Sequence, residues 1–259
     1  MTAQVCWIFS LARCGSSIAA YAAAAPWQVP VADEPFGPWD RTRPPYQYPP
    51  EQRQLKDLYW KVGEHLTPEV EALATTLFDK IAGPANRVVS KHPHDMIKPH
   101  EFRAVFPEHR SVYLLRHPLV RLNSLYARGW HKAIGPDFDL PRFKLVAGWW
   151  LDHPHRFTYE ELRADPASFY RRVWSAWGWD FDPSHVERAL AYQRDHYHAS
   201  SRELGTQSPG APLSESTWAL PDEAAERYLA DPFVREVMAA GGWTDDLDAL
   251  RKRGSSVAG

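Results

Sequence analysis

The chain is 259 residues long, 44% hydrophobic and 24% charged, a composition ordinary for a soluble globular protein. The length suffices for a full buried core, and a net charge of −2 gives no basis for nucleic-acid binding. Two cysteines, Cys6 and Cys14, do not make a disulfide scaffold, so the cytosol is the expected compartment.

The first element is a short apolar run, Val5-Cys6-Trp7-Ile8-Phe9, which reads as a buried strand. Arg13-Cys14-Gly15-Ser16-Ser17 follows as a turn, and Ile18 to Ala25 reads as an alanine-rich helix able to pack closely on a sheet. Ser16 or Ser17 is the expected cap of that helix. No Lys or Arg precedes the apolar stretch and Arg13 interrupts it, so a secretory leader is not expected. No segment is long and apolar enough to span a bilayer.

Residues 26–50 change character. Prolines alternate with Trp27, Phe36, Trp39, Tyr46 and Tyr48, and regular structure is not expected there. Such a segment is either a binding loop, here one that shapes an acceptor pocket, or an ordered surface connection. Two helices follow, with Val70, Leu73, Leu77 and Ile81 recurring at helical spacing behind a cap-like Thr67-Pro68-Glu69. Arg87–Lys91 and Ser111–Leu115 are strand-like, each followed by a turn and helical sequence. After Asp165-Pro166 the chain is mostly helical. The alternation predicts an α/β fold, a parallel sheet flanked by helices with a helical C-terminal part, in one domain over 1–259.

A strand feeding a glycine turn and a helix makes an anion site. Backbone N–H groups converge there and the helix dipole favours negative charge. Arg13 adds a charged donor fork, Ser16 and Ser17 add hydroxyls, and Gly15 lets the backbone approach closely. The spacing is not that of a Walker A loop, because no Lys follows the glycine.

The strand–R-x-G-S-S–helix order at Arg13–Ser17 resembles the 5′-phosphosulfate loop of sulfotransferases that use 3′-phosphoadenosine 5′-phosphosulfate (PAPS). Arg116-His117-Pro118, with Ser124 and Tyr126 beyond, is similar to the family's 3′-phosphate motif R-[DN]-P-x-x-x-x-x-S-x-[YR], His117 departing from the usual Asp or Asn. Tyr159-Glu160-Glu161-Leu162, followed by Asp165-Pro166, resembles a third family segment that reads as architectural. Arg202 and Gly205 are loosely similar to a late R-K-G loop that reaches the 3′-phosphate.

The resemblance implies a P-loop-like sulfotransferase fold. It implies transfer of a sulfuryl group from PAPS to a hydroxyl or amine of a small-molecule, glycan or lipid acceptor, leaving adenosine 3′,5′-bisphosphate. On it, Arg13 stabilises charge on the leaving group and Cys14, Gly15, Ser16 and Ser17 cradle the 5′-phosphate. Arg116, Ser124 and Arg202 bind the 3′-phosphate. The general base is His92 if Arg87–His94 follows the pattern R-x-x-K-T-H of cytosolic members. If the stretch instead follows the bacterial K-[DS]-P pattern, Lys91 and Pro93 are the matched residues and the base lies elsewhere, with Lys91 neutralising charge. The pairs His92/His94, His153/His155 and His196/His198 offer metal-type spacing, but no accompanying carboxylate can be assigned and no metal is expected. Two alternatives remain at this point: a catalytically silent nucleotide-binding scaffold of the same fold, and a small-molecule kinase, against which the missing Walker lysine counts.

Overall fold

The computed structural model describes residues 3–37, 50–63, 65–92, 110–134, 136–196 and 218–255. Within them the chain runs β1 (Gln4–Ser10), α1 (Ser16–Ala24), β2 (Val31–Asp33), α2 (Pro50–Lys61), α3 (Pro68–Ala82), β3 (Arg87–His92) and β4 (Arg110–Leu115). There follow α4 (Pro118–Ala127), α5 (His131–Ile134), α6 (Pro136–Asp152), β5 (Arg156–Thr158), α7 (Tyr159–Ala164) and α8 (Pro166–Trp177). The chain closes with α9 (Pro183–His196), α10 (Asp222–Ala230), α11 (Pro232–Ala240) and α12 (Leu247–Ser255).

The five strands form one parallel sheet in the order β2-β3-β1-β4-β5. Buried on both faces, β1 reads as a continuous apolar run, as a central parallel strand must. Its side chains alternate between two cores. Cys6 and Ile8 meet the alanines of α1 and the aromatic face of α8. Val5, Trp7 and Phe9 meet a larger core built with α2, α3, α4, α6 and the C-terminal helices. Trp7 is its centre, stacked on Phe9 at 5.3 Å and edge-on to Phe78 at 5.4 Å.

Ala19, Ala20, Ala22, Ala23 and Ala24 are all buried against the sheet and α8, and the Trp174 indole donates to the Ala23 carbonyl at 3.1 Å. Small side chains set that close approach; a leucine there would overpack by about 1–3 kcal/mol. The serine-cap expectation is corrected. Gly15 is the N-cap, left-handed and without a side-chain cap bond, and Ser16 and Ser17 lie inside the first turn. The Thr67 cap holds, its Oγ1 accepting from the Val70 N–H at 3.3 Å.

Residues 26–37 are more ordered than their prolines imply, because they contribute β2, an edge strand paired to β3. Trp27 packs edge-on to Trp174 and Trp179 at 4.8 and 4.9 Å, and Phe36 is buried beside Trp7 and Tyr59. These two aromatics serve the core rather than a pocket; Trp39, Tyr46 and Tyr48 lie outside the described residues.

Candidate nucleotide site

Ligands of open parallel sheets bind beyond the carboxyl ends of the strands. Three candidate segments meet at that edge: the loop after β1, the end of β3, and the turn after β4.

The loop after β1 is tightly wound. The Cys14 N–H donates to the Leu11 carbonyl at 3.3 Å. Arg13 has φ 73° and Gly15 φ 84°, so two of three consecutive residues are left-handed. Glycine accepts this freely and arginine does not, and such strained residues cluster at functional sites. Gly15 is further constrained by a neighbour, since a Cβ there would lie 2.4 Å from Cδ2 of Tyr159. The loop opens onto the first turn of α1, whose amides receive no side-chain cap.

The turn after β4 closes over this loop. Arg116, almost fully buried, donates through Nη1 to the Arg13 carbonyl at 3.3 Å and lies 4.5 Å over the Tyr159 ring. Its Nε is buried without a hydrogen-bond partner among the described residues. Ser124, two turns along α4, accepts from Arg13 Nε at 3.2 Å. The two sequence segments, about 100 residues apart, therefore form one cluster. Arg13 is also within cation–π range of the exposed Trp130, at 5.4 Å.

His117 fills the place of the expected Asp or Asn by a different chemistry. It is the N-cap of α4, its Nδ1 accepting from the Leu119 N–H at 3.2 Å. Its Nε2 lies 2.9 Å from the Thr244 carbonyl, which can only accept, so Nε2 carries the proton. Its backbone N–H donates to Glu160 Oε1 at 3.3 Å, and the other Glu160 oxygen accepts from the Trp243 indole at 2.9 Å. Burial raises the Glu160 carboxyl above its ordinary range, against the opposing charge of Arg116.

Cys14 is committed to the loop itself. Its side chain is fully buried, and burial pushes the thiol up to about 11 although Arg121 and Arg116 lie close. Beneath it, the buried Arg121 pairs with Asp139, and Tyr228 donates to the same carboxylate, tying α4 to α6 and α10. Asn123 Oδ1 accepts from the backbone of Ala219 and Leu220 at 2.6 and 3.0 Å. Arg202 lies outside the described residues.

At the end of β3, Lys91 and His92 stand beside Ile8 and Phe9 of β1. The buried Lys91 ammonium pairs with Asp33 at 2.9 Å and Glu34 at 2.7 Å. Burial alone would lower its pKa, but the charges of Glu34 and Asp33 outweigh that and hold it above the ordinary lysine range. Glu34 is itself left-handed, φ 50°, with its carboxylate one-third exposed. The His92 ring is completely buried, 5.9 Å from Phe36. Among the other histidine pairs, His153 is engaged structurally: its Nε2 lies 3.0 Å from Ser111 Oγ and its Nδ1 accepts from the His155 N–H.

Sequence reading missed Tyr159, Glu160 and Trp243 as neighbours of the loop, and Asp33 and Glu34 as partners of Lys91. The Tyr159-Glu160 pair stood in a segment read as architectural. Thr158 does make a capping box with Glu161, so that reading holds for its neighbours.

No protein-family model matches the sequence. No curated protein matches it either. Solved structures do match in shape. A sulfotransferase domain from the curacin biosynthetic pathway aligns over 93% of this chain and 98% of its own, at 14% identity and a TM-score of 0.51. Retinol dehydratase, solved with retinol and PAP, aligns over 92% of this chain and 82% of its own, at 14% identity and a TM-score of 0.52. With its all-parallel sheet in the order 2-3-1-4-5 and the helices packed on both faces, the chain has a sulfotransferase fold.

Proposed function

We propose that the chain is a sulfotransferase that moves a sulfuryl group from PAPS to a hydroxyl or amine of a small-molecule acceptor. The observation that carries this is the Arg13–Arg116–Ser124 cluster, with the Arg116 Nε buried and unpartnered among the described residues. A buried guanidinium with a donor to spare, beside a second guanidinium and a helix start without a side-chain cap, is built for an anion. PAPS brings two anionic groups, and the two motifs divide them. The loop Arg13–Ser17 takes the 5′-phosphosulfate and Arg116 with Ser124 takes the 3′-phosphate. Cys14 supports the loop from below rather than touching the ligand.

In the transfer, the acceptor heteroatom bonds to sulfur as the bond from sulfur to the 5′-phosphate oxygen breaks. Adenosine 3′,5′-bisphosphate leaves, and the acceptor proton passes to a base. Arg13 meets the charge that grows on the leaving oxygen. His92 and Glu34 are the two candidates for the base. His92 has the better intrinsic pKa, but its ring is fully buried. Glu34 has an exposed face, strained backbone geometry and a fixed partner in Lys91, which favours it for a carboxylate that must meet an acceptor. Lys91 then orients the base instead of neutralising the donor.

The test is calorimetric titration with adenosine 3′,5′-bisphosphate, with ATP and adenosine 5′-monophosphate as controls. Micromolar binding of the bisphosphate with much weaker binding of both controls is expected. Selective binding of ATP with Mg²⁺ would assign the site to a kinase, binding of no nucleotide would leave a degenerate scaffold of the same fold, and bisphosphate binding without turnover on a panel of hydroxylated acceptors would mark a silent nucleotide-binding scaffold.

A further inference from the structure

We infer that Glu160 and Trp243 are positioning residues for the Arg116 turn, and that the C-terminal turn 241–244 clamps the 3′-phosphate side of the site. The inference rests on the reading of Arg116 as the 3′-phosphate ligand. Four bonds join His117, Glu160 and the start of α4 to Trp243 and Thr244 of this turn. Glu160 accepts the His117 backbone N–H, and the Trp243 indole N–H fixes the other oxygen of the same carboxylate. The Thr244 carbonyl accepts from His117 Nε2, and His117 Nδ1 caps α4 through Leu119. The imidazole is thus held at both nitrogens and the backbone N–H by a third group. The His117 and Trp243 rings also pack against each other at 5.8 Å.

The adjacent residue is Arg116, whose guanidinium lies on the Tyr159 ring, next in sequence to Glu160. The α7 segment therefore touches Arg116 through the ring and holds its turn through the carboxylate. Trp243 and Thr244 reach it from the far end of the chain. An arginine side chain has many rotamers, so fixing its backbone matters to how well it meets a planar anion. A cavity of about 490 Å³ lies beside the network, lined in part by His117, Glu160, Arg163, Trp243 and Thr244. Water from that cavity can satisfy Glu160 when a donor is removed, so the variants are expected to fold while losing the fixed geometry.

The experiment compares Trp243→Phe, which keeps the ring and removes the N–H, with Glu160→Gln, which leaves one oxygen where two N–H groups need acceptors. Two readouts are taken. Hydrogen exchange of the His117 amide is expected to speed up about tenfold in each variant, with the β1 amides unchanged. Affinity for adenosine 3′,5′-bisphosphate is expected to fall about tenfold, with affinity for adenosine 5′-monophosphate changed less than about twofold. Unchanged His117 exchange overturns the clamp. Equal loss for both nucleotides also overturns it, because a merely structural role would act on both. A wild-type protein that does not prefer the bisphosphate sinks the proposed function alone, and the exchange readout then decides whether the clamp exists.

Discussion

Gly15 is where one added methyl group would do most to the loop. Alanine there must hold φ near 84° and seat its Cβ 2.4 Å from the Tyr159 ring. The left-handed conformation alone costs about 1–2 kcal/mol. The ring must also move, and with it the surface on which Arg116 rests. Gly15→Ala is therefore expected to lower the melting temperature and abolish measurable bisphosphate binding. A variant that melts and binds like the wild type would show that Tyr159 yields freely. Arg13→Ala behaves differently, because Arg13 is only partly buried and its contacts include the exposed Trp130 as well as Ser124. Its stability should change by less than about 1 kcal/mol while transfer is lost. For the base, Glu34→Gln is expected to lower kcat by about 100-fold or more, with bisphosphate affinity retained. Activity near wild type in Glu34→Gln and a large loss in His92→Ala would return the role to His92.

α4 is the element on which most of the site depends. Its cap is His117, its second turn places Ser124, and its buried side holds Arg121 against Asp139 and Tyr228. Asp139→Ala leaves the Arg121 charge buried and uncompensated, and a loss of about 3–5 kcal/mol is expected in denaturant titration. Replacing both partners, Arg121→Met with Asp139→Leu, should recover most of it. If the single variant is as stable as the wild type, water has reached the pair and the element is looser than its packing implies. β1 and β4 were legible from the apolar runs Val5–Phe9 and Val112–Leu115, and β3 from the Val88-Val89 pair in a short segment followed by a turn. β2 and β5, three residues each, are too short to show any period, and β2 lies among prolines. Ser16 and Ser17 look like caps in sequence, but the left-handed Gly15 takes that place and puts them one and two residues into the helix. That His117 departs from the motif was visible. That it still caps α4 was not, since the capping atom is Nδ1 and its tautomer is set by Thr244, 127 residues away.

The molecule places the two phosphate motifs by topology alone. β1 lies between β3 and β4, so the loop after β1 is flanked by the end of β3 on one side and the Arg116 turn on the other. A ligand that bridges the loop and the turn joins parts that are otherwise linked through Arg13, Arg116, Ser124 and the cores beneath. Its binding should then stabilise the whole fold. At a hundredfold excess over Kd, a ligand bound only by the folded state adds about 2.7 kcal/mol. For a chain of this size that corresponds to a rise in melting temperature of about 5–10 °C. Adenosine 3′,5′-bisphosphate is expected to give this shift. Adenosine 5′-monophosphate at the same concentration should give much less, because it leaves Arg116 and Ser124 unused. Arg116→Met should abolish the difference between the two nucleotides without abolishing the smaller shift, since the loop after β1 remains intact. Equal shifts from both nucleotides in the wild-type protein would mean that the turn after β4 does not read a 3′-phosphate. The Arg13–Ser124 contact would then be a structural link between β1 and α4, and the loop would be a site for a single phosphate group.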